Sequence, residues 1–131
     1  MKPINQLIFL IVLFLASCNP NGDKWINGQW VGVGYQLDSV ESDTWSIDLE
    51  IDMENELFNI EYPSLECSGR WELIEYSDER AIFDELILDN TSICIERGIV
   101  ILTKVDENHI SFSYYTLDEE EVLAYSTLKR K

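Results

Sequence analysis

The sequence predicts an all-β domain built from about eight short antiparallel strands. Residues 44–53 give the clearest signal, because apolar side chains alternate there with Ser, Asp and Glu, as expected for a strand with one buried and one solvated face. Turn-forming residues recur roughly every 8–14 residues. No segment after residue 18 has a convincing helical period over about ten residues, although 80–88 is ambiguous. Consecutive short strands of this kind favour an up-and-down barrel or a sandwich.

The predicted strands cover residues 28–37, 44–53, 56–62, 69–76, 80–88, 99–104, 109–117 and 121–129. In the first strand, Gly32 and Gly34 indicate a bend or a close approach of neighbouring backbone. The third strand places Phe58, Ile60 and Tyr62 on one face and ends at a Pro-Ser pair.

Polar segments separate the remaining strands. A Ser-Asp-Glu turn at 77–79 follows the fourth strand, and the segment 90–98 follows the fifth. The seventh strand carries Ile110, Phe112 and Tyr114 in register, and an acidic turn at 118–120 precedes the last strand. These connections are short enough for sequential antiparallel pairing.

The amino-terminal segment has the properties of an export signal. Residues 7–16 form an unbroken apolar run after a single positive charge at Lys2, shorter than the roughly 20 residues that a membrane-spanning helix needs. Leu-Ala-Ser-Cys at residues 15–18 resembles the lipobox of bacterial lipoproteins. That resemblance implies removal of residues 1–17 and lipidation of Cys18. The alternative is an ordinary secretion signal that carries Cys18 by chance.

The lipobox resemblance also implies a location and a domain organisation. Acyl chains on Cys18 would tether the protein to a membrane outside the cytoplasm. Residues 18–25 would form a lipidated stalk, and 26–131 the folded domain. Asn19 stands where some bacteria use Asp for inner-membrane retention, which favours the outer membrane if the organism has one.

The other two cysteines, Cys67 and Cys94, would then lie in an oxidising compartment. A disulfide between them would be worth ~3.5 kcal/mol by loop closure. Two free thiols or a metal pair are the alternatives. Zinc is disfavoured because the chain has one His and no Cys-x-x-Cys spacing.

Gly28-Gln29-Trp30 resembles the Gly-x-Trp signature that opens the first strand of lipocalins and related calycin barrels. The resemblance implies an eight-stranded, lipocalin-like, up-and-down barrel. It also implies that a basic side chain near the end of the last strand packs over Trp30, and Lys129 and Arg130 stand at that end. The chain is shorter than a typical lipocalin and lacks the further motifs, so a short member of the wider group is the better comparison.

The charge excludes some partners. The chain has 25 acidic and 9 basic side chains and a net charge of −16. Removal of residues 1–17 deletes only Lys2 and makes the charge −17. Such a surface opposes binding to nucleic acid or to anionic lipid by charge. The acidic clusters are expected to be solvated turns and strand faces, or else a surface for a basic partner or Ca²⁺.

The sequence offers no catalytic constellation. His109 is the single histidine, at a predicted strand start, and Gly-x-Ser-x-Gly, phosphate-binding and metalloprotease motifs are absent. Glycosidase-like pairs of carboxylates are conceivable, but in a chain this acidic such pairs are expected by chance. The acids in question are Glu61, Glu66, Glu72, Glu75 and Glu85. We therefore predict no enzyme activity, no cofactor and no metal.

Aromatic residues supply the remaining hypothesis about function. They fill the core or line a cavity for a small apolar ligand. The candidate lining residues are Trp45, Phe58, Trp71, Phe83, Phe112 and Tyr114. The sequence thus predicts a monomeric, lipid-anchored binding module. The alternative is an acidic interaction protein that caps a basic partner, by analogy with small periplasmic inhibitors of lysozymes.

Overall fold

Eight antiparallel strands close into a barrel in which each strand pairs with the next and the last pairs with the first. The computed structural model describes residues 24–37, 43–118 and 120–131. The strands are β1 (Gly28–Gln36), β2 (Thr44–Asp52), β3 (Leu57–Tyr62), β4 (Cys67–Tyr76), β5 (Arg80–Asp89), β6 (Arg97–Lys104), β7 (His109–Tyr115) and β8 (Ala124–Arg130). A 3-10 turn, Pro63–Leu65, joins β3 to β4. The predicted barrel is confirmed, and the sandwich alternative is wrong.

The alternating pattern produces this arrangement because every second residue of each strand points into the barrel. In β2, Ile47, Leu49 and Ile51 are buried. The register places Leu49 opposite both Trp30 of β1 and Ile60 of β3, so the inward rows of adjacent strands meet. Residues 80–88, ambiguous in the sequence, belong to a strand.

Strand boundaries differ from the prediction by up to three residues. The strands β4 and β6 each begin two residues earlier than expected, at Cys67 and Arg97. The last strand begins at Ala124 instead of 121, because residues 121–123 belong to the connection between β7 and β8.

One end of the barrel is closed by the segment that precedes β1. Trp30 is fully buried, and its indole N–H donates to the carbonyl of Ile26 at 2.8 Å. The Trp25 ring stacks on Tyr76 at 6.2 Å between centroids, and its indole N–H donates to the carbonyl of Ser77 at 2.9 Å. Trp25, predicted to lie in the stalk, is therefore part of the folded barrel.

The middle of the barrel is filled by aromatic rings. Trp71 packs against Phe83 at 4.9 Å and against Phe112 at 6.2 Å between centroids. Phe58 packs on the other side of Phe83 at 5.3 Å. These four rings form one continuous layer across the interior.

Cys67 and Cys94 form a disulfide, with their Cα atoms 6.5 Å apart. The predicted pairing is confirmed, and the free-thiol and metal-pair alternatives are wrong. The bond ties the start of β4 to the loop between β5 and β6, at the end of the barrel opposite Trp25.

The predicted export signal, Cys18 and most of the predicted stalk lie outside the described residues. Among the residues that are described, no helix is long and apolar enough to cross a membrane.

Candidate binding site

The barrel end opposite Trp25 carries a pocket of about 130 Å³. Its walls include residues at the ends of several strands, among them Gln36 at the end of β1. Trp45 comes from β2, Tyr62 from β3, Tyr114 from β7 and Ala124 from β8. The pocket therefore lies inside the strand ring and opens at the rim.

Two glycines create room for the pocket's aromatic walls. A Cβ atom on Gly34 would overlap the indole ring of Trp45, and one on Gly98 would overlap the phenol ring of Tyr114. Each glycine occupies an inward-facing position of its strand, so the ring from the neighbouring, paired strand can lie against bare backbone. Gly34 was predicted to mark a close approach, and the structure identifies the approaching group as a side chain.

Glu85 contributes the single acidic side chain of the pocket lining and is 3% exposed. The Tyr62 hydroxyl donates to its Oε2 atom at 2.6 Å, and the Trp71 indole N–H donates to the same atom at 2.8 Å. Trp71 also belongs to the aromatic layer. Glu85 thus lies where the filled interior meets the pocket.

Burial controls the ionisation of this group of side chains. Loss of hydration raises the pKa of Glu85 from 4.5 to about 7, although the hydrogen bonds from Tyr62 and Trp71 act in the opposite direction. Burial, together with the negative charge of Glu85, raises the pKa of Tyr62 and that of Tyr114 above the ordinary value. Both phenols therefore stay protonated around neutral pH, and Glu85 is the group that titrates there.

The pocket rim is formed by the disulfide-bonded loop. Ile93 and Ile95 flank Cys94, and all three line the pocket. Ile93 is 64% exposed and Ile95 is 47% exposed, so the mouth presents apolar surface to solvent. The disulfide to Cys67 fixes the position of this loop.

The structure divides the aromatic residues that were predicted to line a cavity. Trp45 and Tyr114 line the pocket. Phe58, Trp71, Phe83 and Phe112 instead pack against one another in the layer beneath it. For these four, the core-filling alternative describes their position.

The barrel-end residues lie at the closed end, away from the pocket. The Arg130 guanidinium carbon is 4.2 Å from the centre of a Trp30 ring. Its Nη atoms donate to the carbonyls of Asn27 and Trp25. Gly28 has a φ of 126°, and a Cβ atom there would meet the same guanidinium.

His109 lies at the start of β7, at the closed end, where its Nδ1 atom is 2.9 Å from a carboxylate oxygen of Asp106. Both side chains are substantially exposed. Within the described residues, no group of three or more His, Cys, Asp or Glu side chains is arranged to hold a metal ion.

Sequence reasoning missed the role of Glu85, which it treated as one acid among many. A signal was present in the alternation of β5, where Ala81, Phe83 and Ile87 point inward and Glu85 occupies the same row. An acidic residue at an apolar position of a strand predicts a buried carboxylate with partners.

No protein-family model matches this chain, and no curated protein matches it. Among solved structures, a redesigned β-barrel is similar with a TM-score of 0.59 and 14% sequence identity, over 82% of this chain and 92% of that one. At this identity the likeness concerns the fold alone. By its own pairing and by this comparison, the chain is a closed, eight-stranded antiparallel β-barrel with one internal disulfide.

Proposed function

We propose that this protein is a lipid-anchored, extracytoplasmic binding module that holds one small apolar ligand at the open end of its barrel. The observation that carries the proposal is the pocket between Trp45, Tyr62 and Tyr114, at the end opposite the Trp25 plug.

The size of the pocket limits its ligand. A dry protein cavity of about 150 Å³ holds benzene, whereas sites for drug-sized molecules span about 300–1,000 Å³. The pocket volume of about 130 Å³ therefore suits a single ring or a short branched chain. A fatty acid would extend far beyond it.

The lining suits an apolar body. Trp45 and Tyr62 meet edge to face at 6.5 Å between centroids, and Leu65 and Leu123 complete the walls. Burial of apolar ligand surface against such walls contributes roughly 25 cal/mol per Å². The exposed isoleucines of the rim would be covered in part by a bound ligand.

The proposed anchor gives the pocket a direction. Residues 19–24 span at most about 20 Å when fully extended, and they lead to the closed end of the barrel at Trp25. A Cys18 anchor would hold the closed end near the membrane and turn the pocket towards the aqueous phase. This geometry favours a ligand taken from solution over a lipid taken from the anchoring membrane.

A substitution that fills the pocket tests the binding function. The full chain would be assembled in lipid nanodiscs and titrated with toluene, with tryptophan fluorescence and thermal stabilisation as readouts. We expect saturable binding by the wild type and its loss in Ala124→Leu, because Ala124 is a buried pocket residue. Tyr125→Leu is the matched control, since Tyr125 is the next residue and faces outward. Absence of binding by toluene and by comparable ring-sized compounds would reject the function.

The anchor has its own test. Growth of the producing cells with labelled palmitate should label the wild-type protein and leave Cys18→Ser unlabelled. An unlabelled wild type would reject the lipoprotein assignment without affecting the pocket.

A second candidate function is an acidic surface that caps a basic protein. One observation favours it: Asp48 of β2 and Glu61 of β3 stand directly opposite each other. Like charges at paired positions destabilise a sheet, and a basic partner would relieve that repulsion. Binding to a cationic lysozyme at low salt, weakened by Asp48→Asn with Glu61→Gln, would support this function. Failure to bind cationic proteins would remove it.

A further inference from the structure

We infer that the open-end pocket selects a small ligand with an ammonium group on an apolar body, and that Glu85 is the counter-ion for that group. The inference rests on the proposed binding function and specifies its ligand class. It is carried by the position of Glu85 in the pocket lining and by the distribution of hydrogen bonds over its two oxygens.

One oxygen of Glu85 is available. Both hydrogen bonds to the carboxylate end on Oε2. Within the described residues, no fully enclosed side-chain nitrogen or oxygen lacks a hydrogen-bond partner. Because Oε1 accepts no hydrogen bond from these residues, it is not fully enclosed. Glu85 lines the open-end pocket and also an outer cleft that contains Arg70 and Arg97, and we assign Oε1 to the pocket, where Tyr62 and Tyr114 lie beside Glu85.

The pocket supplies no positive charge of its own. Its lining contains no Lys, Arg or His side chain, and among the described residues Glu85 has no ion-pair partner. An ionised carboxylate that is buried without a cation is costly. A ligand ammonium that donates to Oε1 would supply the missing charge and a charge-assisted hydrogen bond.

The electrostatic field of the whole protein also favours a cationic ligand. The net charge of −16 raises the local concentration of small cations. Glu66 and Glu96 are exposed and directly follow pocket residues in the chain. Anionic ligands would meet both this field and Glu85, so they are excluded from the pocket.

Three ring compounds of nearly equal size separate charge from shape: benzylamine, benzyl alcohol and toluene. Each would be titrated into the full chain in lipid nanodiscs at pH 8, with tryptophan fluorescence and calorimetry as readouts. We expect benzylamine to bind about tenfold or more tightly than toluene, from one hydrogen bond to a charged group. Benzyl alcohol should fall between them.

Glu85→Gln should abolish the preference for benzylamine and leave toluene affinity within about threefold of the wild type. Gln can still accept hydrogen bonds from Tyr62 and Trp71 through its amide oxygen, so the pocket should keep its shape. Asp84→Asn is the matched control, because Asp84 is the preceding residue and is exposed on the outer face. It removes one negative charge and should retain the preference.

The wild type offers a test that needs no variant. Glu85 has a pKa of about 7, and only the ionised form pairs with ammonium. Benzylamine affinity should therefore rise about tenfold from pH 6 to pH 8, while toluene affinity stays constant. Tyr62 and Tyr114 line the pocket with Glu85, and their raised pKa values keep them protonated throughout. The outer cleft that Glu85 also lines carries Arg70, Glu72, Asp84 and Arg97.

The outcomes are distinct. Equal binding of the three probes by the wild type, or a benzylamine preference that survives Glu85→Gln, would overturn the ligand class and leave the binding function standing. Failure of all three probes to bind would reject the binding function itself. Loss of the preference in Asp84→Asn as well would assign it to overall charge and overturn the role of Glu85.

Discussion

The two ends of the barrel are built from the same strand pattern but reach opposite outcomes. At the closed end, Trp30 is fully buried under Ile26 and Arg130 lies over its ring. At the open end, Trp45 is partly buried, Glu85 replaces an apolar side chain, and a pocket of about 130 Å³ remains. The closed end is therefore packed to stabilise the fold, whereas the open end leaves space unfilled, and this space is the binding site that we propose. This division is expected when a small barrel must both fold and bind.

The largest expected effect comes from the closed end. Trp30→Ala should lower the free energy of unfolding by about 3–5 kcal/mol, because it removes a fully buried indole and leaves a cavity. Trp45→Ala, at the open end, should lower it by much less. Equilibrium denaturation followed by circular dichroism measures both. Equal losses at the two ends would contradict the division of roles.

Removal of the disulfide should have the second-largest effect, because the bond both stabilises the fold and holds the pocket rim. Cys67→Ser with Cys94→Ser opens a loop of 27 residues, which should cost about 3.5 kcal/mol. It should also release Ile93 and Ile95 from the rim and weaken ligand binding. Denaturation under oxidising conditions and toluene titration measure the two consequences.

The wild type measured with a reductant is the control for the double variant, because the reductant breaks the same bond without a substitution. An unchanged melting temperature in the double variant would show that the closed loop contributes nothing. Retained toluene binding would show that the rim holds its shape without the bond.

The third effect is a pH dependence at the open end. The native state keeps the Glu85 proton up to a pKa of about 7, whereas the unfolded chain releases it near 4.5. Between these values the native state binds more protons, so the free energy of unfolding falls as pH rises, on the order of 3 kcal/mol in total. Glu85→Gln should remove this fall, and Asp84→Asn should keep it.

Denaturation at pH 5 and pH 8 gives the comparison between these variants. If the wild type and Glu85→Gln lost the same amount between the two pH values, Glu85 would not be buried as the structure has it. The difference between the two proteins isolates this residue from the other acids, which titrate in both.

These effects show which parts of the structure the sequence could predict. Alternation identifies inward-facing residues, and it placed Phe58 and Phe112 on the inward faces of β3 and β7. The succession of short strands favoured the barrel. Alternation does not give the height of a residue along the barrel axis, because height depends on strand tilt and on the register of all eight strands. For this reason the predicted cavity lining combined Trp45 and Tyr114 with rings from the layer below.

Glu85 was missed for a different reason. The alternation predicts apolar side chains at inward-facing positions. Glu85 is an acidic residue at such a position, so the alternation does not predict its burial. The hydrogen bonds from Tyr62 and Trp71 explain how this departure from the pattern is tolerated. Trp71 is the direct partner of Glu85 on the neighbouring strand β4, whereas Tyr62 comes from β3, which does not pair with β5. Departures of this kind concentrate at functional sites.

The smallest expected effect concerns the closed end. The sequence offered two basic side chains, Lys129 and Arg130, as the one that packs over Trp30. Alternation in β8 buries Leu128 and turns Lys129 outward, so Arg130 faces Trp30. Arg130→Met should lower the free energy of unfolding by about 1–2 kcal/mol, because it removes a cation–π contact together with hydrogen bonds to the plug carbonyls. Lys129→Met, which removes the same charge from an exposed position, should change it by less than about 0.5 kcal/mol. Equal losses from the two variants would mean that overall charge, and not the contact with Trp30, secures this end, whereas a loss confined to Arg130→Met with unchanged toluene affinity would show that the plug and the pocket are energetically independent.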